Sequence, residues 1–320
     1  MEEFLPEGKL IDRVSNSRYT ATKEGLAEAF REGRVLEADC ILCDSHHNLY
    51  VDFGFCKGFI PRDEGAVGIA EGHVRDIALI SRVNKPVSFV VTSLECDPDV
   101  SPECAVTLSR RLAQIKARDN YISKVRPGDI LNVRVTHLEQ FGCFVDLACG
   151  IPSMMPIDSI SVSRISHPSV RFAIGDDIRG VVKTIDPAQN CQPGSGRITL
   201  THKELLGSWD ENAALFLPHE TVPGVIRSIE QYGIFVELLP NLAGLAEVRP
   251  DAQINQKVSV YIKAIIPEKM KIKLAFVEML QTDAYPSPEP FKYFTPSDIT
   301  HIDNWLYASQ LSGRTSGTTF

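Results

Sequence analysis

A seven-residue phrase, stated twice, limits what this chain can fold into. Phe141-Gly142-Cys143-Phe144-Val145-Asp146-Leu147 returns ninety-one residues later as Tyr232-Gly233-Ile234-Phe235-Val236-Glu237-Leu238. Strict alternation puts Cys143, Val145 and Leu147 on one face of a strand and Phe144 and Asp146 on the other. The glycine lets the strand bulge and twist, which swings Phe141 to the side of Phe144. Two large rings on the outside of a sheet form a surface on which bases can stack. A weaker copy, His47-Asn48-Leu49-Tyr50-Val51-Asp52-Phe53, stands ninety-four residues earlier, with Leu49, Val51 and Phe53 inward and Tyr50 and Asp52 outward. Asn48 takes the glycine's place there and, as the residue next most tolerant of positive φ, is expected to keep the bend. A period of roughly ninety residues predicts three tandem small domains rather than one large core.

Each repeat carries the same order of elements. In the middle one, Asp129 to Glu139 alternates as a strand, 142 to 149 is the bulged strand, and Ile151 to Ile157 is a third. A serine-rich stretch, Asp158 to Pro168, breaks the pattern as a short helix or coil. Strands at Asp177 to Ile185 and Arg197 to His202 follow, the second after the hairpin-like turn Pro193-Gly194-Ser195-Gly196. The third repeat has Thr221 to Glu230, Gly233 to Leu239, Leu242 to Val248, Lys257 to Ile266 and Met270 to Phe276, with a shorter connection between its third and fourth strands. The first runs from about Gly33 to Arg111 and closes with Ala105 to Ser109. Five strands with a helical insertion between the third and fourth is the plan of an OB-fold barrel, whose second and third strands bind oligonucleotides.

Between repeats the periodicity becomes helical. Ser109 to Ile122 and Thr201 to Phe216 read as connecting helices, with Trp209 a packing anchor among leucines. The fold class is therefore mainly β: three tandem five-stranded barrels joined by short helices. The expected domains are a helical extension over 1–32, barrels over 33–112, 123–203 and 218–277, and a C-terminal extension over 281–320. In that extension, 284–290 reads as an extended linker, Pro296 to Leu311 as a short helix around Trp305 and Leu306, and Ser312 to Phe320 as disordered.

No apolar run reaches the eighteen or so residues of a membrane span. The acidic start Met1-Glu2-Glu3-Phe4-Leu5-Pro6-Glu7 lacks the regions of a signal peptide, which places the chain in the cytoplasm with its eight cysteines reduced. Cys40-Ile41-Leu42-Cys43 before His46-His47 invites a zinc reading. A strand there points the two sulfurs to opposite faces, which makes them structural cysteines rather than metal ligands. Neither a nucleophile elbow nor a phosphate loop is present, so no catalysis, cofactor or small-molecule substrate is expected.

Val125-Arg126-Pro127-Gly128-Asp129, the phrase at 141–146, Ile185-Asp186 and Arg197-Ile198-Thr199-Leu200-Thr201 together resemble the S1 RNA-binding domain family. Tyr232 to Glu237 with Lys271-Ile272-Lys273-Leu274 is similar to it as well. Gly58-Phe59-Ile60-Pro61-Arg62 and Leu108 to Gln114 resemble the leading domain of the bacterial ribosomal S1 family, and the resemblance covers about residues 33 to 277. It implies S1-type barrels that bind single-stranded RNA, messenger RNA in particular, with the small ribosomal subunit as a further partner. By the family pattern Phe141, Phe144, Asp186 and Arg197 act in the second repeat, and Tyr232, Phe235 and Lys271 in the third. The family's third-strand histidine is replaced by Pro61, Pro156 and Glu247, and Pro267 stands at an aspartate position. Arg134, Lys183 and Lys263 join the candidates, with Lys269 and Lys273 beside them.

The first repeat departs furthest. His47 and Tyr50 stand where the stacking pair belongs, Ala105 replaces the closing arginine, and Arg31 to Tyr121 holds 11 basic against 14 acidic residues. Such a surface repels RNA, and the resemblance makes it the attachment end. The chain as a whole carries a charge of −8, yet Ile122 to Asp210 is balanced at nine of each sign, so local clustering governs contact with phosphate. The expected binding is dominated by stacking. The competing reading is an adaptor whose worn barrels dock proteins, in RNA turnover or transcription, with residual RNA binding.

Overall fold

The computed structural model describes residues 4–95, 104–186, 197–280 and 291–320. The turn at 193–196 and the linker at 284–290 lie outside the described residues, as does the side chain of Ala105. Two compact units are present: one within Met1–Val125 that takes in Asp146–Pro152, the other formed by Arg126–Val145, Ser153–Asp186 and Arg197–Phe320.

Three closed five-stranded barrels make up the fold. The first holds β1 (Val35–Cys43), β2 (Leu49–Asp52), β3 (Lys57–Ile60), β4 (Lys85–Ser93) and β5 (Cys104–Ser109). It is preceded by helices α1 (Val14–Thr20) and α2 (Lys23–Glu32), and a one-turn helix α3 (Ile77–Ile80) lies between β3 and β4. The second holds β6 (Ile130–Glu139), β7 (Gly142–Asp146), β8 (Pro152–Pro156), β9 (Asp177–Asp186) and β10 (Arg197–Thr201). The third holds β11 (Thr221–Glu230), β12 (Gly233–Leu239), β13 (Leu242–Ala246), β14 (Lys257–Ile266) and β15 (Lys271–Met279). In the third barrel β11 pairs antiparallel with β12 and β14, and β13 pairs parallel with β15, which closes the cylinder. Alternation fills each interior: Leu49, Val51, Val87 and Phe89 in the first, Ile234, Val236, Val258 and Ile272 in the third.

The connector α4 (Arg110–Asn120) forms as its periodicity predicts, capped by the Ser109 hydroxyl, which accepts from the Leu112 amide. The second connector does not run as one helix. β10 continues to Thr201, a 3-10 turn covers Lys203–Leu206, and α5 spans only Trp209–Ala213. Gly207 breaks it at φ +80°, and Phe294 lies 2.7 Å from where its Cβ would be. Trp209 is buried in the third barrel's core, as a packing anchor should be.

The C-terminal extension also differs from its prediction. In place of a helix over 296–311, β16 (Asn304–Leu306) pairs antiparallel with β17 (Gly317–Thr319), so Ser312 to Phe320 is not without structure. Upstream, the Ile130 amide donates to Thr300 and the Ile302 amide to Gly128, while His301 Nδ1 sits 2.6 Å from Asp129. Arg179 donates to the carbonyls of Thr295, Pro296 and Ile299. Sequence periodicity missed this because the contacts to Gly128, Asp129, Ile130 and Arg179 reach across more than a hundred residues.

The bend of the weak phrase falls elsewhere than expected. Positive φ lies at His47 (64°), not Asn48, whose side chain bonds Asp44 and accepts the Arg62 amide. The strand β1 shifts register between Cys40 and Leu42, so Cys40 is buried and Cys43 packs against the same core instead of pointing away. Burial raises both thiols above their ordinary range.

Candidate nucleic-acid interface

In β7, Cys143 and Val145 are buried in the interior and Phe144 stands half-buried on the outer face. Phe141 precedes the strand and is 55% exposed. The two rings meet edge to face, centroids 6.0 Å apart and planes at 90°. In β12 the same arrangement recurs: Tyr232, 71% exposed, meets Phe235 at 6.2 Å and 89°. The intervening glycine is required by close approach. A Cβ on Gly142 would lie 2.3 Å from the Met155 carbonyl oxygen, and one on Gly233 2.8 Å from that of Ala246. Perpendicular rings form a step on which one base face can lie while the neighbouring ring closes the edge.

The predicted cations divide by what they already hold. Arg134 grips Asp177 with two hydrogen bonds of 3.0 and 3.2 Å, directly across the β6–β9 register. Lys183 donates to the Ser159 hydroxyl at 3.1 Å, and Lys263 pairs with Glu247 at 2.7 Å. Arg197 is exposed and directly opposite Asp186 in the β9–β10 register. Lys271 is exposed opposite Ile266 and has no ion pair among the described residues.

Sheet register brings Lys273 from the margin of the predicted set into line with the rings. Phe235 pairs with Leu245, and Leu245 with Lys273, so ring, leucine and ammonium form one row across β12, β13 and β15. In the second barrel Met154, ninety-one residues before Leu245, pairs with Thr199. The second barrel adds a ring that sequence reasoning missed. His137 on β6 lies 6.4 Å from Phe144, inclined by 36°, with Nε2 2.8 Å from Glu139. The family pattern places its histidine on the third strand, and this one is on the first; the signal that could have found it is its outward place in the alternation of β6.

The acids of the phrase are not part of an open face. Asp146 is 3% exposed and accepts the amides of Glu7 and Gly150. Burial and the Glu7 carboxylate beside it raise its carboxyl to about 7. Glu237 is 6% exposed and held by Arg171 and Arg227, each through two hydrogen bonds. Burial works to raise it too, but the two guanidiniums outweigh burial and hold it below the usual carboxylate range.

Among the described residues the first barrel has no equivalent step. Tyr50 packs edge-on against Phe59 at 5.5 Å and donates to Asp44, and His47 Nδ1 lies 3.8 Å from Asp76.

Residues 124–191 match the family model of the S1 RNA binding domain. The chain is similar to the small ribosomal subunit protein bS1 of Leuconostoc lactis, 28% identical over 278 residues, which covers 80% of this chain and 60% of that protein. It is 28% identical to bS1 of Chlamydia muridarum over 69% of this chain and 40% of the relative. It is 25% identical to bS1 of Staphylococcus aureus strain COL over 90% of this chain and 73% of the relative. The chain thus spans 60% and 40% of the first two relatives' lengths.

Proposed function

We propose that this chain binds single-stranded RNA in the cytoplasm, as a translation protein that holds messenger RNA near the small ribosomal subunit. The observation that carries the reading is the repeated step of perpendicular rings, Phe141 with Phe144 and Tyr232 with Phe235, on two barrels of one plan. The S1-domain match at 124–191 and the similarity to bS1 proteins support the setting in translation. Function here is binding without a chemical step or a cofactor. Phe144→Ala and Phe235→Ala in the full chain should each weaken binding of single-stranded RNA by about 1–3 kcal/mol, the worth of a base–aromatic stack. Unchanged affinity in both variants rejects the stacking faces.

The finer reading assigns the first barrel to subunit attachment. Its Tyr50 is committed to Phe59 and Asp44, and its sequence is acidic, which disfavours phosphate and leaves protein contact. Co-sedimentation with small subunits in the absence of messenger RNA should be lost on deletion of residues 1–120. Retained co-sedimentation would refute the assignment.

A further inference from the structure

The two stacking faces carry different charge. On the second barrel β8 and β10 place Met154 beside Thr199, both uncharged, and Arg197, exposed on β10, has Asp186 directly opposite. On the third barrel the row ends in Lys273. Lys271, two residues back and on the same outward side of β15, stands opposite Ile266. Lys271 and Lys273 are exposed and make no ion pair among the described residues, whereas Lys263 nearby is bound to Glu247. The aromatic content is skewed the other way. Phe144 has His137 inclined beside it, while Ser228 occupies the corresponding place on β11.

We infer that the two faces divide the recognition of single-stranded RNA: Lys273 and Lys271 make the third barrel the phosphate anchor, and His137 makes the second a three-ring base platform. The inference rests on the RNA-binding reading and adds to it which residues hold which part of the strand. An ammonium in line with a stacking ring meets the phosphate of the base on that ring, and releases a counterion when it does. A cation facing a carboxylate gains less from phosphate, because it is already partly neutralised. The imidazole ring beside Phe144 adds stacking area to the platform.

The test is the affinity of the full chain for a labelled oligouridylate over a series of KCl concentrations at one fixed pH. The double variant Lys271→Gln/Lys273→Gln should flatten the slope of log affinity against log salt by about 1.4, near 0.7 for each single-strand phosphate that is no longer neutralised. Arg197→Gln should flatten it by less than half that. His137→Ala should lower affinity about fivefold at every salt concentration with the slope unchanged, the low end of a base–aromatic stack. His137→Asn, which keeps a polar group of similar size, should show the same parallel shift. An unchanged slope in the double lysine variant, or a changed slope with no parallel loss in both His137 variants, overturns the division. Phe144→Ala and Phe235→Ala measured alongside separate the two levels. If they weaken binding and the lysines leave the slope alone, only the division fails; if they do not, the RNA-binding reading fails first.

Discussion

Asp146 and Glu237 occupy the same place in the same phrase, and their surroundings are opposite. Asp146 is buried and crowded by the Glu7 carboxylate, which together outweigh the two backbone amides it accepts, so its charge is disfavoured and its carboxyl is raised to about 7. Glu237 is met by two arginines, so its charge is held and its carboxyl is lowered. The phrase supplies an acid at the end of the ring strand in both barrels, and the partner decides whether that acid acts as a hydrogen-bond acceptor near neutrality or as half of an ion network. Proton-linked behaviour therefore does not follow from the motif, even where ring geometry does.

The largest effect expected from this contrast is at Glu237. Glu237→Gln leaves Arg171 and Arg227 buried without their counter-charge, and should destabilise the second unit by about 4 kcal/mol. Urea unfolding followed by tryptophan fluorescence reads that unit selectively, because both tryptophans, Trp209 and Trp305, belong to it. A loss under about 1 kcal/mol would mean the network is solvated and worth no more than a surface pair.

Acidification should then move the stabilities of the two units in opposite directions. In the first, Glu37 is buried and raised to about 7, chiefly by burial, although it accepts the Leu10 and Ile11 amides. Its folded state binds the proton before its unfolded state does, so stability rises as pH falls from about 7 towards the ordinary 4.5, and Asp146 acts in the same sense. In the second unit His202 is buried against Phe172 and Phe291 and lowered to about 4, chiefly by burial. There the unfolded state binds the proton first, so stability falls with pH from 6.5 to about 4, with a limiting slope of about 1.4 kcal/mol per pH unit. Pulse proteolysis in urea, with fragments mapped to Val35–Ser109 and Thr221–Met279, should show midpoints shifting with opposite sign between pH 6.5 and 4.5. Parallel movement would break the contrast.

The smallest effect is at Asp146. Asp146→Asn removes a charge that is already disfavoured and should cost about 1 kcal/mol at pH 7, mainly from one amide left with a poorer acceptor. A cost equal to that of Glu237→Gln would show Asp146 fully ionised and the two positions alike.

The ring pairs could be read from the chain because their geometry is local. Alternation with a period of two fixes the face of Phe144, and the glycine beside it fixes where Phe141 can go. The partners of the acids could not, since Glu7 is 139 residues from Asp146 and Arg171 is 66 from Glu237. Lys183 and Lys263 stood as candidates equal to Lys271, because nothing in the sequence marks Ser159 or Glu247 as already holding them. Lys273 gains its place only when β13 and β15 lie parallel and in register.

What the sequence by itself determined is the repeat: three five-stranded barrels, each built on an alternating strand, with outward rings at Phe141, Phe144, Tyr232 and Phe235. Those follow from contacts within a few residues, where chain stereochemistry leaves little choice. Tertiary structure alone decided which charges are already paired and which are open, and which acid is neutralised by arginine and which is crowded by another carboxylate. Electrostatic energies depend on distance and burial in space rather than on separation along the chain, so they are set only when remote strands, loops and the C-terminal hairpin come together.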